Sequence, residues 1–189
     1  VFTKGEIGPE RVQMVLDSMS VFSSLMKIYK VEHYRACATS AMRDAKNGQE
    51  IIKKVKKNSN LDIEIISGDE EASLVFENHI AEGLDKNFDY LYIDVGGGST
   101  ELTFYENTKM KYQKSVNIGT IRLLNGLVKE DLWKELKEEV RKNINSKKPI
   151  VAIGSGGNIN KIFSMSKTKD GKPMSTTYLK KYYKEMNEL

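Results

Sequence analysis

Asp94-Val95-Gly96-Gly97-Gly98-Ser99-Thr100-Glu101 sets a carboxylate on each side of three glycines, with two hydroxyls between them. Three successive residues without a Cβ let the backbone approach a ligand closely. They also let it gather N–H groups into one concavity, which suits a phosphate. The acids at either end add the oxygen donors that a metal-bound phosphate needs. Other phosphate loops are spaced differently: no Lys-Ser/Thr follows these glycines, and no G-x-G-x-x-G opens a helix. A plain hairpin turn needs only two residues, so a third glycine between acids favours a site.

Three further clusters could carry chemistry. Ser67-Gly68-Asp69-Glu70-Glu71-Ala72 crowds three carboxylates at a helix start. Capping explains one or two of them, because Ser67 and Glu70 make a capping-box pair and Asp69 can cap instead. The spare glutamate can serve as a general base. Thr39-Ser40-Ala41-Met42-Arg43 follows a strand, where an arginine can fork onto phosphate oxygens or simply make a surface ion pair. Gly154-Ser155-Gly156-Gly157-Asn158 leads into a helix, the setting of an anion or nucleotide contact or of a tight turn. His33 and His79 are isolated and lack metal-ligand spacing. Cys37, between alanines, reads as a buried structural thiol.

The elements that must carry these residues follow from periodicity. Gly8-Pro9-Glu10 starts a long amphipathic helix with Val12, Val15, Leu16, Met19, Phe22, Leu25, Met26 and Tyr29 inward. A strand is expected at 34–38, then a polar turn at 39–43. A helix over 47–57 buries Ile51, Ile52 and Val55, and a strand covers 62–66. A helix over 70–82 has Leu74, Val75 and Ile80 inward. The glycine turn joins two strands of a hairpin within 90–105, with a third strand at 114–118. Helices at 119–127 and 130–144, a buried strand at 150–153, a helix from Ile159 and a last helix at 177–189 complete the chain. Alternating strands and helices with one antiparallel meander give a mixed α/β fold, divided near 83–87 into domains of residues 1–86 and 87–189.

The 189 residues are 39% apolar and 30% charged, a composition of globular and not disordered or membrane proteins. A net charge of +4 is compatible with a polyanionic ligand without demanding one. No run of apolar residues is long enough to span a bilayer and no signal peptide is evident, so the expected location is cytoplasmic.

Taken together and in this order, Thr39-x-x-x-Arg43, Ile65 to Ala72, Ile93 to Glu101, Asn117-Ile118-Gly119-Thr120-Ile121-Arg122-Leu123 and Gly154 to Gly157 resemble the exopolyphosphatase / guanosine pentaphosphate phosphohydrolase family of the actin-like ATPase superfamily. The resemblance implies a two-domain, ribonuclease H-like α/β architecture. It also implies a hydrolase that frees terminal orthophosphate from polyphosphate or the 5′ γ-phosphate from guanosine pentaphosphate. Matched motif by motif, Glu71 falls on the base that activates water, and Asp94 and Glu101 on acids that hold Mg²⁺. Gly96, Gly97, Gly98, Ser99, Thr100 and Arg43 fall on phosphate contacts, and Gly154, Ser155, Gly156 and Gly157 on the nucleoside-side turn. Polyphosphate or guanosine pentaphosphate is then the partner, with no DNA or membrane and a homodimer left open.

The family's opening strand pair, with its D-x-G-S-N-S turn, and its closing strand and helices have no counterpart in the sequence. This chain alone is therefore expected to be weakly active or inactive, with unpaired sheet edges. Two other functions stay open: an ATP-dependent kinase of the same superfamily, which Glu70-Glu71 after a strand argues against, and a non-catalytic polyphosphate- or nucleotide-binding module.

Overall fold

The computed structural model describes residues 1–80, 85–169 and 171–188. Helix α1 (Pro9–Ile28) begins on the proline after Gly8, with Glu10 in its first turn. It packs on α3 (Gly48–Ser59), where Ile51 and Val55 are buried together with Leu61. Val12, Val15, Leu16, Met19 and Met26 cover this cluster from α1. Phe22, Leu25 and Tyr29, expected inward, are exposed. A 20-residue helix outruns its 12-residue partner, so part of its apolar stripe has nothing to cover it.

Strand β1 (Ala36–Ala38) pairs in parallel with β2 (Ile63–Ile65). The expected strand at 34–38 is thus shorter, and the expected polar turn after it is a short helix, α2 (Ser40–Asp44). Cys37 is exposed, not buried. It is the middle residue of a three-residue strand, opposite exposed Glu64, on the face turned away from the helices. Helix α4 (Gly68–Ile80) is capped as its sequence suggests, the Glu70 amide donating to the Ser67 hydroxyl at 3.1 Å. It lies against the second sheet. The side chains of Val75, His79 and Ile80, and Gly83 and Leu84 of the expected boundary, lie outside the described residues.

The second sheet contains β3 (Asp89–Val95), β4 (Thr100–Glu106), β5 (Lys109–Val116) and β6 (Ile150–Ser155), in the order β5-β4-β3-β6. The β3–β4 and β4–β5 pairs are antiparallel and β6 is parallel to β3, the order of a ribonuclease H-like sheet. β5 starts five residues before the expected 114. Asn107 and Thr108, both at positive φ, make a two-residue turn that sets Glu106 opposite Lys109. β6 is not the buried strand expected. It lies at the sheet edge with alternate residues exposed, Ile150 among them. β4 has strands on both sides and is buried along nearly its whole length. α5 (Thr120–Leu124), α6 (Glu130–Asn143), α7 (Gly157–Met165) and α8 (Thr176–Asn187) complete the chain. No helix among the described residues is long and apolar enough to cross a membrane.

Candidate phosphate site

Pairing between β3 and β4 closes the chain on itself at the glycines. Asp94 stands opposite Glu101 and Val95 opposite Thr100, and the Gly96 amide donates to the Ser99 carbonyl at 3.0 Å. None of Gly96, Gly97 or Gly98 has a positive φ, so left-handed backbone is not why glycine stands there. Close approach is. A Cβ on Gly97 would stand 2.9 Å from Ile121, and one on Gly98 would strike the Ser40 hydroxyl and the Phe2 ring. Gly119 presses on the turn in return, its Cβ position lying 2.5 Å from the Gly97 carbonyl oxygen.

That packing decides which way the turn faces. α5 takes the turn's carbonyls. Thr120 N–H donates to Gly96 O at 3.0 Å and Ile121 N–H to Gly97 O at 2.8 Å, while the Arg122 Nε donates to Gly98 O at 2.5 Å. In a trans peptide the N–H points opposite to the C=O, so the amides of Gly97, Gly98 and Ser99 point away from α5. Among the described residues these three amides donate to no protein acceptor. They form a row of free donors, the chemistry of an anion nest.

The two flanking acids are each steadied by a serine. The Ser155 hydroxyl, on β6 opposite Asp94, donates to the Asp94 carboxylate. Ser115, on β5 opposite Glu101, donates to Glu101 Oε1 at 2.9 Å. Glu101 is 3% exposed. Burial pushes its carboxyl above the usual range, the Ser99 and Ser115 hydroxyls pull it down, and the negative charges of Glu71 and Asp94 raise it further. Glu71 therefore belongs to the same carboxylate cluster. It too is raised, first by burial and slightly by Asp94, with Arg43 and Thr39 opposing. Arg43 Nη1 lies 3.5 Å from Glu71 Oε2, yet that buried oxygen accepts no hydrogen bond.

The fold thus gathers Arg43, Glu71, Asp94, Glu101 and the glycine turn from elements far apart in sequence. Other residues of these motifs make contacts within the protein. The Thr100 hydroxyl is committed to the Ile118 carbonyl at 2.6 Å, and the Ser99 hydroxyl to Glu101. Gly154 and Ser155 are strand residues of β6, and Gly156, at φ +111°, packs on the Val95 carbonyl. Sequence reasoning missed three contributors. Ser115 is legible only once its register with Glu101 is known. Arg122 lay inside a motif that had no assigned chemistry. Ser40 stands three residues before Arg43, and its buried hydroxyl has no hydrogen-bond partner while resting on Gly98.

Asp94 and Glu101 are hard oxygen donors of the kind a divalent cation takes together with water and phosphate oxygens, while the free amides suit the phosphate itself. No group of three or more acidic, histidine or cysteine side chains among the described residues is close enough to hold a metal unaided. An ion here would need the phosphate as a further ligand.

A ribonuclease H-like sheet carries the glycine turn beside the carboxylates in an α/β protein. More narrowly, the chain belongs to the Ppx/GppA phosphatase family, whose model matches residues 1–187. It is 34% identical over 118 residues to a bifunctional 3-dehydroquinate synthase/phosphatase of Fusobacterium nucleatum, covering 60% of this chain and 18% of that protein. It is 28% identical over 130 residues to a guanosine-5'-triphosphate,3'-diphosphate pyrophosphatase of Photobacterium profundum, covering 68% of this chain and 26% of that protein. The chain therefore spans about a quarter or less of these curated relatives. The crystal structure of an exopolyphosphatase from Cytophaga hutchinsonii superposes with a TM-score of 0.71 at 29% identity, over 87% of this chain and 57% of that one. A PPX-GPPA enzyme of Aquifex aeolicus shares the fold, with a TM-score of 0.74 at 24% identity, over 99% of this chain and 67% of that one.

Proposed function

We propose that the full-length protein is a phosphoanhydride hydrolase that releases terminal orthophosphate from inorganic polyphosphate or the 5′ γ-phosphate from guanosine pentaphosphate. One observation carries this reading: the amides of Gly97, Gly98 and Ser99 are left free on the side of the turn away from α5, in a site that also holds Arg43 and Glu71. Relatives and a solved structure named for these substrates supply the substrate classes.

In this reading the free amides and the Arg43 guanidinium hold the terminal phosphoryl oxygens, and the unpartnered Ser40 hydroxyl supplies one more donor. Glu71 Oε2, without a hydrogen bond of its own, accepts a proton from water. The water oxygen bonds to phosphorus as the bridging P–O bond breaks, and the shortened chain leaves with the electron pair. Raising the Glu71 pKa makes the carboxylate a stronger base, and burial supplies that shift. Mg²⁺ held by Asp94 and Glu101 would neutralise phosphate charge at the same place. Ser155 and Ser115 keep those two carboxylates oriented.

Orthophosphate release from long-chain polyphosphate and from guanosine pentaphosphate, with Mg²⁺ and with EDTA, tests this in the full-length gene product. Release that EDTA abolishes and Glu71→Gln suppresses is the expected result. No release from either substrate by a folded protein overturns the hydrolase in favour of a binding module. Phosphate transfer from ATP to an acceptor would instead establish the kinase.

A further inference from the structure

Arg122 has no part in the hydrolytic chemistry above, yet its side chain is only 15% exposed and bonded at two of its nitrogens. From α5 its Nε donates to the Gly98 carbonyl at 2.5 Å, and its Nη2 donates to the Asp44 carboxylate on α2. The guanidinium carbon lies 4.3 Å from the centre of the Phe2 ring, which itself packs against Gly98. One planar fork therefore joins three pieces of chain: the glycine turn, the last residue of α2 and the N-terminal segment.

Both ends of that fork bear on phosphate contacts. Fixing the Gly98 carbonyl fixes the Ser99 amide on the opposite side of the same peptide, so Arg122 aims one of the free donors. Asp44 directly follows Arg43, so the ion pair also sets how far α2 stands from the turn. α2 begins with Ser40, buried against Gly98. At five residues it has little cohesion of its own and takes its position from such contacts.

We propose that Arg122 is a positioning residue, a clamp that holds α2 against the three-glycine turn so that Arg43 and the turn amides grip the same phosphoryl group. The clamp rests on the phosphate-binding reading given under Proposed function. A lysine cannot replace it, because a single ammonium does not span the Gly98 carbonyl and the Asp44 carboxylate in one plane.

The test is calorimetric binding of inorganic tripolyphosphate with Mg²⁺ to the full-length protein, beside its thermal melting temperature. Arg122→Lys, Asp44→Asn and the double variant should each bind about tenfold more weakly than wild type. The double variant should bind no worse than Arg122→Lys alone, because the lysine has already lost the contact that Asp44→Asn breaks. Arg122→Ala should regain affinity in methylguanidinium but not in methylammonium at equal ionic strength. Should Arg122→Ala not fold, Arg122→Lys and Asp44→Asn carry the test. Single variants that bind like wild type, or losses that add in the double variant, overturn the clamp. A wild-type protein that binds no tripolyphosphate overturns the phosphate site itself and the clamp with it.

Discussion

The Arg43 guanidinium stands 3.5 Å from the Glu71 carboxylate while donating to the Ile66 carbonyl at 2.7 Å. The backbone bond holds the arginine where β2 ends and α4 is about to begin, so its charge falls on Glu71 without a hydrogen bond that would occupy Oε2. Burial raises the Glu71 pKa above its ordinary 4.5, and Arg43 is the largest opposing influence. A general base works ionised, so activity rises as pH passes its pKa. Arg43→Ala should then move the acidic limb of the kcat–pH profile to higher pH and raise KM through the lost phosphate contact. An unmoved limb would show that Arg43 does not tune Glu71.

Glu71→Gln separates chemistry from stability. The folded protein disfavours the ionised form, so the stability linked to Glu71 is full below the unfolded pKa and is lost as pH rises through the higher folded one. A glutamine carries no charge to bury. The variant should melt at or above the wild-type temperature at neutral pH while kcat falls by about 10²–10⁴. Calorimetric melting and orthophosphate release on the same preparation check both halves. A large drop in melting temperature would mean that Glu71 serves the fold.

What could be read from the sequence divides along physical lines. The hairpin around Gly96–Gly98, the cap at Ser67 and the inward Ile51 and Val55 are local patterns, set by alternation, capping geometry and the 3.6-residue period. Cys37 and β6 were misjudged because exposure depends on what lies over a strand, which its own residues do not record. The carboxylate cluster was legible residue by residue, but its electrostatic coupling was not. Ser115 reaches Glu101 only because the β4–β5 register shifts by one residue between Phe104 and Tyr105; the register that the Asn107-Thr108 turn starts would set Lys114 there instead.

The three turn glycines look equivalent in sequence and differ in their surroundings. A Cβ on Gly96 would meet only the Ser99 carbonyl at 3.4 Å, whereas one on Gly98 would strike Ser40 and Phe2. Gly96→Ala should fold with little loss and keep tripolyphosphate affinity. Gly98→Ala should lose about 1–3 kcal/mol by overpacking, read from denaturant unfolding. Gly157→Ala, with open space around its Cβ position, is the matched control. Equal tolerance at Gly96 and Gly98 would mean that α2 does not press on the turn.

Asp89 offers a stability determinant at the other end of the sheet, away from the chemistry. Its carboxylate is buried where β3 starts and accepts from the Asn107 amide at 2.8 Å and from the Ser146 hydroxyl. Burial alone would raise its pKa. The Ser146 and Asn107 hydrogen bonds and the charge of Lys148 outweigh that, and the carboxyl lies below its usual 3.8. Lys148 also donates to the Asn107 side chain at 2.5 Å, so one knot secures the β4–β5 turn and the approach to β6. A lowered carboxylate pKa contributes stability that is present above the unfolded value and disappears as pH falls through the folded one. Asp89→Ala should cost about 1–3 kcal/mol at neutral pH, because it takes the acceptor away from the Asn107 amide and the Ser146 hydroxyl at a buried position. The gap between variant and wild type should narrow on acidification below the unfolded carboxylate range. KM should stay unchanged, since the knot and the glycine turn lie at opposite ends of β3. Melting curves across that pH range, with KM measured alongside, decide it: a gap that persists in acid would assign the loss to packing and not to the carboxylate.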